Sequence, residues 1–317
     1  MRAVVTGAAG FIGSHLCAYL LACGDEVVGV DAFTDYYEPA VKERNLAPMM
    51  SSGAFSLQRV DLLTADLGVL LAGADVVYHL AGQPGVRPSW GAEFRTYAAL
   101  NVLATQAVLE AARGRRLRKL VYASSSSVYG DAASYPTAET LRPQPASPYG
   151  VTKLAAEHLC ELYRSGFGVP TVSLRLFTVY GPRQRPEMAF ARLVAAAASG
   201  GSFPLYGDGE QSRDFTYVTD VVTAMRDAAC SDFTGVANIG GGCRTTMREV
   251  ISVVEELVGP VEIVRLPAQR GDVRHTGADI TVAAGAFGYR PRTRLAEGLA
   301  AMVAGHGSPS EVASVGQ

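Results

Sequence analysis

Short runs of β-branched and apolar residues alternate with longer stretches of helical periodicity through the first half of this chain. The runs at 2–6, 26–31, 55–59, 76–80, 119–124 and 171–176 read as strands, and 11–22, 101–113 and 149–164 carry the period of amphipathic helices. Strands separated by helices pair in parallel, because the crossover carries the chain back to the end from which it set out. The expected fold is therefore α/β, a doubly wound parallel sheet. Past about residue 180 the character changes to Gly-Pro punctuation, an Arg- and Gly-rich loop at 207–214 and intermittent strand signals. Residues 1–180 are expected mainly in the sheet layer and 181–304 mainly in a smaller second lobe, with the chain free to cross between them. Residues 305–317, small and polar without periodicity, are expected as a flexible tail.

With 48% hydrophobic residues in 317, the chain can bury a substantial core, which excludes disorder across its length. Its 28 basic and 30 acidic side chains nearly cancel, so it carries neither the footprint of a nucleic-acid binder nor a polybasic membrane patch. A small neutral-to-anionic ligand is the natural partner. No apolar run approaches the roughly 20 residues that span a bilayer, and the first strand signal begins at Arg2, leaving no room for a secretory leader. The cytoplasm is the expected location. Cys17, Cys23, Cys160, Cys230 and Cys243 are scattered, with no C-x-x-C pair and no metal-ligand spacing, so reduced thiols and no metal site are expected.

Gly7-Ala8-Ala9-Gly10-Phe11-Ile12-Gly13 follows the first strand and opens the first helix. Glycines there let a backbone approach a pyrophosphate at a helix N-terminus. Their G-x-x-G-x-x-G spacing departs from the general dinucleotide fingerprint, and alone they mark no more than a tight turn. The neighbours decide. Asp31 ends the second strand, where a carboxylate accepts hydrogen bonds from adenosine ribose hydroxyls and repels a 2′-phosphate, favouring NAD over NADP. Asp61-Leu62 follows the third strand and Leu80-Ala81 the fourth, at the strand ends where open α/β sheets bind ligands.

Tyr149 and Lys153 stand four residues apart, hence on one helix face. A phenol with a pKa near 10 is a poor base at neutral pH. An adjacent ammonium and an oxidised nicotinamide both favour the phenolate, which makes the pair a candidate acid/base unit. The preceding strand ends in Tyr122-Ala123-Ser124-Ser125-Ser126-Ser127-Val128-Tyr129-Gly130, whose hydroxyls can hold a sugar oxygen.

The glycine motif, this Ser-rich Val-Tyr-Gly segment, Tyr149-x-x-x-Lys153 and Arg213-Asp214-Phe215 together resemble the extended short-chain dehydrogenases/reductases of Rossmann fold, in particular the nucleotide-sugar epimerases, over nearly the whole chain. The resemblance implies Ser125 as the catalytic serine, with Ser126 as the alternative that a run of four serines leaves open. It implies Tyr149 as the base, Lys153 as a second holder of the nicotinamide ribose, and Phe177 beside the cofactor. It also implies a smaller lobe that binds the nucleotide sugar, with Arg213 and Arg270 on its phosphates, Arg185 and Arg192 as further candidates, and Asp272 facing the uridine ribose. Helices 101–113 and 149–164 resemble the pair that forms a four-helix homodimer interface. Asp214 and Asp220 read as structural, placed at or just after a loop-to-strand junction.

Nucleotide-sugar enzymes of this type share oxidation at C4 of the sugar and differ afterwards. The dehydratases resemble Thr-Asp-Glu-Val-Tyr-Gly, and the UDP-glucuronate decarboxylases carry a Glu just before Val-Tyr-Gly, where this chain has Ser126 and Ser127. Both acid-requiring reactions are thereby disfavoured, leaving 4-epimerisation. The stretch from Leu176 through Thr178 to Pro182, continued by Arg183 to Ala189, looks like the UDP-glucuronate 4-epimerases, as do Asp35-Tyr36-Tyr37 and Gln83-Pro84-Gly85-Val86-Arg87. Hydroxyls of Ser125, Ser126, Ser127 and Thr178 would hold the sugar carboxylate. The expected reaction is UDP-glucuronic acid to UDP-galacturonic acid, with UDP-glucose the next substrate and decarboxylation after it.

Overall fold

A computed structural model describes residues 1–267 and 273–306. The first half runs β1 (Arg2–Thr6), α1 (Phe11–Ala22), β2 (Glu26–Asp31), α2 (Pro39–Leu46), β3 (Phe55–Arg59), α3 (Leu67–Leu70), β4 (Val76–His79) and α4 (Phe94–Tyr97). A π-helical segment, Ala98–Leu103, joins α4 to α5 (Ala104–Ala112), and β5 (Lys119–Ser125), α6 (Pro148–Phe167) and β6 (Thr171–Leu176) follow. The second half contains β7 (Val179–Tyr180), α7 (Ala189–Ser199), β8 (Ser202–Tyr206), β9 (Ser212–Asp214), β10 (Thr216–Tyr217) and α8 (Val218–Cys230). It closes with β11 (Gly235–Ile239), β12 (Arg244–Thr246), α9 (Met247–Leu257), β13 (Glu262–Leu266), α10 (Thr281–Phe287) and α11 (Leu295–His306).

Seven parallel strands form the central sheet in the order β11-β6-β5-β4-β1-β2-β3. The direction of winding reverses between β1 and β4, which opens a crevice beyond their C-terminal ends. Alternation within each strand supplies the two faces of the sheet. Ala3, Val5, Tyr78 and Leu174 pack with α1 and α8, whereas Val4, Val77, Leu120 and Tyr122 pack with α5 and α6. Burial on both faces explains the near-continuous apolar strand sequences.

A separate core lies in the second half of the chain, where Tyr180, Phe190, Leu193, Leu205, Phe215, Val250 and Leu299 meet. Two elements of the second half return to the sheet: β11 becomes its edge and α8 lies against α1. Several boundaries differ from expectation, three of them near the site or the chain's end. The stretch 207–214 is loop only to residue 211, because Ser212–Asp214 pairs antiparallel with β12. The helix expected at 101–113 begins instead at Phe94, with Asn101 buried inside the π segment. Helix α11 reaches His306, so residues 305 and 306 are helical, and the rest of the expected tail lies outside the described residues.

A loop that follows β7 is latched onto α1. Burial and the Arg183 charge hold His15 down to about 4, hence neutral. With Nε2 2.8 Å from the Pro182 carbonyl, that nitrogen carries the proton, and Nδ1 accepts from the Arg183 guanidinium at 2.8 Å.

Candidate active site

The crevice at the switch point is a cleft of about 450 Å³. Its floor is the turn between β1 and α1. Gly7 adopts φ +71°, and a Cβ there would stand 2.8 Å from the Ala81 amide nitrogen, so the turn is pressed against the end of β4. A Cβ on Gly13 would fall 2.0 Å from the Gly7 carbonyl oxygen. No side chain caps α1 and no acidic residue occupies its first turn. Its leading amides therefore face the cleft with the positive end of the helix dipole, a seat for a pyrophosphate. Glycine-only packing and an open helix terminus fit a dinucleotide.

Asp31 lies where β2 reaches this cleft. Its carboxylate accepts from the Ala9 amide at 3.1 Å and the Phe33 amide at 2.8 Å. Lys42 of α2 approaches it at 3.7 Å while donating to the Thr34 carbonyl at 3.0 Å. Asp61 lines the cleft and also closes a local turn by accepting from the Leu63 amide at 2.9 Å. The Leu80 and Ala81 amides both donate to Thr6 Oγ1 at 3.2 Å. With two donors spent on that oxygen, the Thr6 proton goes to His79 Nδ1 at 2.8 Å, leaving His79 Nε2–H for Thr105 Oγ1 at 3.0 Å. Thr105 passes its own proton to the Asn101 carbonyl at 2.7 Å. Burial keeps His79 neutral, its pKa lowered to about 3. This directed chain joins the floor of the cleft to the π segment.

Asn101 continues it. Its amide accepts from the Gln83 backbone N–H at 2.7 Å and donates to the Gln83 carbonyl at 3.1 Å and to Thr152 Oγ1 at 3.0 Å. One residue thus ties the loop after β4 to α6, the helix that carries Tyr149 and Lys153. Ser147 caps α6 by accepting from the Gly150 amide at 3.1 Å, with Pro148 in the first turn, so the helix starts one residue before Tyr149.

The Ser125 hydroxyl stands beside the Tyr149 phenol and favours its ionised form. The Ser127 amide occupies Ser125 Oγ as an acceptor at 3.1 Å, which leaves the Ser125 proton to be given. Burial raises the Tyr149 pKa, and the Ser125 hydroxyl and the Arg185 charge oppose that rise. Lys153 is buried and donates to the Ala123 carbonyl at 2.9 Å. Burial lowers it to about 8, against the opposing pull of Glu157.

The cleft brings together Gly7, Gly10, Phe11, Ile12, Gly13, Asp31, Asp61, Leu62, Leu80 and Ala81 with Ser125, Ser126, Ser127, Tyr149, Lys153, Phe177, Thr178 and Arg185. A side pocket of about 180 Å³ shares Val86, Ser126, Ser127 and Thr178 with it and adds Ser147, Arg213 and Thr276. Two expected residues stand apart from both linings. Arg87 is exposed and stacks on the Tyr206 ring at 4.1 Å, because its backbone turns outward in a short 3-10 helix; Arg192 is exposed on α7. Arg270 and Asp272 lie outside the described residues. Asp214 is buried and accepts from the Gly241 and Ala278 amides at 2.5 and 3.0 Å, and Asp220 accepts from the Thr293 amide at 3.1 Å.

Residues 3–240 match the model of the NAD dependent epimerase/dehydratase family, and the chain belongs to that family. NAD is therefore the dinucleotide this cradle is built for. Over 303 residues the chain is 44% identical to an uncharacterized UDP-glucose epimerase of Bacillus subtilis, covering 94% of this chain and 96% of that protein. It is 35% identical over 328 residues to a probable UDP-glucuronate 4-epimerase of Rhizobium meliloti, covering 96% of each. Among solved structures, UDP-glucuronic acid 4-epimerase from Bacillus cereus in complex with UDP-glucuronic acid and NAD superimposes with a TM-score of 0.93 at 42% identity, covering 96% of this chain and 98% of that one.

Proposed function

We propose that this protein is an NAD-dependent UDP-sugar 4-epimerase that interconverts UDP-glucuronic acid and UDP-galacturonic acid. The observation that carries the choice of sugar is the lining of the catalytic end of the cleft and its side pocket. Ser125, Ser126, Ser127, Thr178 and Arg185 gather there, and the side pocket has no acidic side chain among its described lining residues. Hydroxyl and guanidinium donors suit a carboxylate at C6. Among the described lining residues the acids are Asp31 and Asp61, at the ends of β2 and β3, so none at the catalytic end is placed as a carboxylic proton donor for elimination or decarboxylation.

Tyr149 takes the proton from the sugar O4 and returns it, with Ser125 holding that oxygen and Lys153 keeping a positive charge beside the phenolate. NAD held against Gly7, Gly10, Gly13 and Asp31 would supply the hydride acceptor and donor for C4. A 4-keto glucuronate is a β-keto acid, which loses CO₂ when the carboxylate bond stands perpendicular to the ketone. Donors fixed on the carboxylate keep it from that orientation while the sugar turns its other face. Arg213, anchored to the Arg274 carbonyl at 3.1 Å, is placed to meet phosphate. Exposed Leu103, Val151 and Leu162, on the π segment and α6, suit a homodimer interface.

The deciding experiment is proton NMR of the purified protein with UDP-glucuronic acid, with and without added NAD. Growth of the UDP-galacturonic acid H4 signal with the carboxylate retained is the expected result. UDP-xylose or a 4-keto pentose would mark a decarboxylase, and inertness toward this substrate with turnover of UDP-glucose would move the assignment to that sugar.

Asp31 gives a second test. Its charge is offset by Lys42, so Asp31→Ala removes a ribose acceptor and uncovers a cation. Calorimetry is expected to find NAD affinity down by about tenfold, the value of one hydrogen bond to a charged group, and the gap between NAD and NADP narrowed. An unchanged NAD preference would remove Asp31 from cofactor selection.

A further inference from the structure

Four residues beyond Lys153 on α6 stands Glu157, a carboxylate only 4% exposed that no step above uses. Its Oε1 accepts a hydrogen bond from Ser124 Oγ and a second from Arg175 Nε at 3.0 Å. Its Oε2 accepts from Arg175 Nη2 at 2.8 Å. Arg175, on β6, is equally buried and passes Nη1 to the Tyr129 hydroxyl at 2.8 Å, and Tyr129 donates in turn to Asn238 Oδ1 on β11 at 2.8 Å. The pair is thus enclosed between α6 and the sheet, and every arm ends on a protein atom.

We infer that Glu157 is a positioning residue for the Tyr149–Lys153 pair, clamping the end of β5 to α6 through Ser124 and serving as the counter-charge to the Lys153 ammonium. The inference rests on the reading of that pair as catalytic. Ser124 is the neighbour of Ser125, and Glu157 lies two helical turns from Tyr149, so this clamp sets how the Ser125 hydroxyl meets the phenol. A slip of one ångström in such a contact is enough to slow a reaction severely.

The electrostatic half follows from what else surrounds Lys153. Tyr149 and Cys160 share its helix, the Tyr122 ring of β5 lies 5.0 Å from Nζ, and His79 of β4 is neutral. Glu157 is the nearby anion among these groups, and it acts against the burial that pushes Lys153 down to about 8. Arg175 pairs with Glu157 from the far side, so the buried carboxylate is matched by a buried guanidinium.

The chain has three lysines, Lys42, Lys119 and Lys153. Labelling the NAD-loaded protein with [13Cε]lysine therefore gives few signals, and loss of one in Lys153→Met assigns it. Its titration is followed in the wild type, in Glu157→Gln/Arg175→Met and in Ser124→Ala. The double variant avoids an unpaired buried charge. Its Lys153 midpoint is expected to fall by at least about one pH unit, the effect of losing a nearby opposite charge. Ser124→Ala should keep the wild-type midpoint yet lose at least about tenfold in kcat at unchanged KM. A wild-type midpoint in the double variant, or a wild-type kcat in Ser124→Ala, overturns the inference. Ser124→Ala deletes one hydroxyl and decides even where the double variant does not fold. The titration needs no turnover, so a wild type inert toward UDP-sugars defeats the functional reading and leaves this one measurable.

Discussion

Tyr149→Phe is expected to cut epimerisation by at least about 100-fold, the lower range for loss of a positioned acid/base group, while leaving NAD affinity close to wild type. The phenyl ring keeps its shape in the site, including the edge contact with Tyr97 at 6.2 Å between centroids. Only the hydroxyl goes, and with it the interaction with the Ser125 hydroxyl. Lys153, whose ammonium donates to the Ala123 carbonyl, stays in place. The loss should appear in kcat far more than in KM, because O4 is one contact among the many a nucleotide sugar makes. Turnover by NMR and NAD binding by calorimetry, run on the same preparation, separate the two effects. Full retained activity would dismiss Tyr149 as the base.

Gly13→Ala should be nearly as damaging by another route. The added methyl would sit 2.0 Å from the Gly7 carbonyl oxygen and 2.8 Å from its carbonyl carbon, both backbone atoms that no rotamer change can clear. Gly7 has no retreat, since it already presses on the Ala81 amide. Forcing a methyl into packed surroundings costs about 1–3 kcal/mol, and the displaced atoms are those that shape the pyrophosphate seat. NAD affinity is expected to fall by roughly 10- to 100-fold at 1.4 kcal/mol per decade. Gly53→Ala, where a Cβ meets nothing within 4 Å, is the matched control. Equal NAD binding in the two variants would mean that the turn is more compliant than its contacts indicate.

The sheet was legible because strands buried on both faces announce themselves as apolar runs; β1, β2, β3 and β6 fall where the residues place them. The helix around Asn101 was less so. A π turn shifts the phase of side chains without altering composition, and a buried polar residue in an apolar period was the one available sign. The run of four serines shows how far local pattern reaches. Ser124 and Ser125 are alike in sequence, yet one meets Glu157 and the other Tyr149. Arginines on loops were the hardest to place: Arg185 and Arg213 turn into the cavities, whereas Arg87 turns out onto Tyr206. Nothing in a flexible side chain's neighbours along the chain says which way it will lean.

The return of β11 and α8 to the sheet means that the gene cannot be cut near codon 180 into two self-sufficient modules. A fragment ending there would leave one face of the sheet without Val218, Val221, Val222 and Met225, all fully buried in the intact chain. Its last strand, β6, would also present a bare edge in place of the five paired residues of β11. Recombination between relatives at that point would therefore fail, because each half would lack the strand or helix that the other supplies.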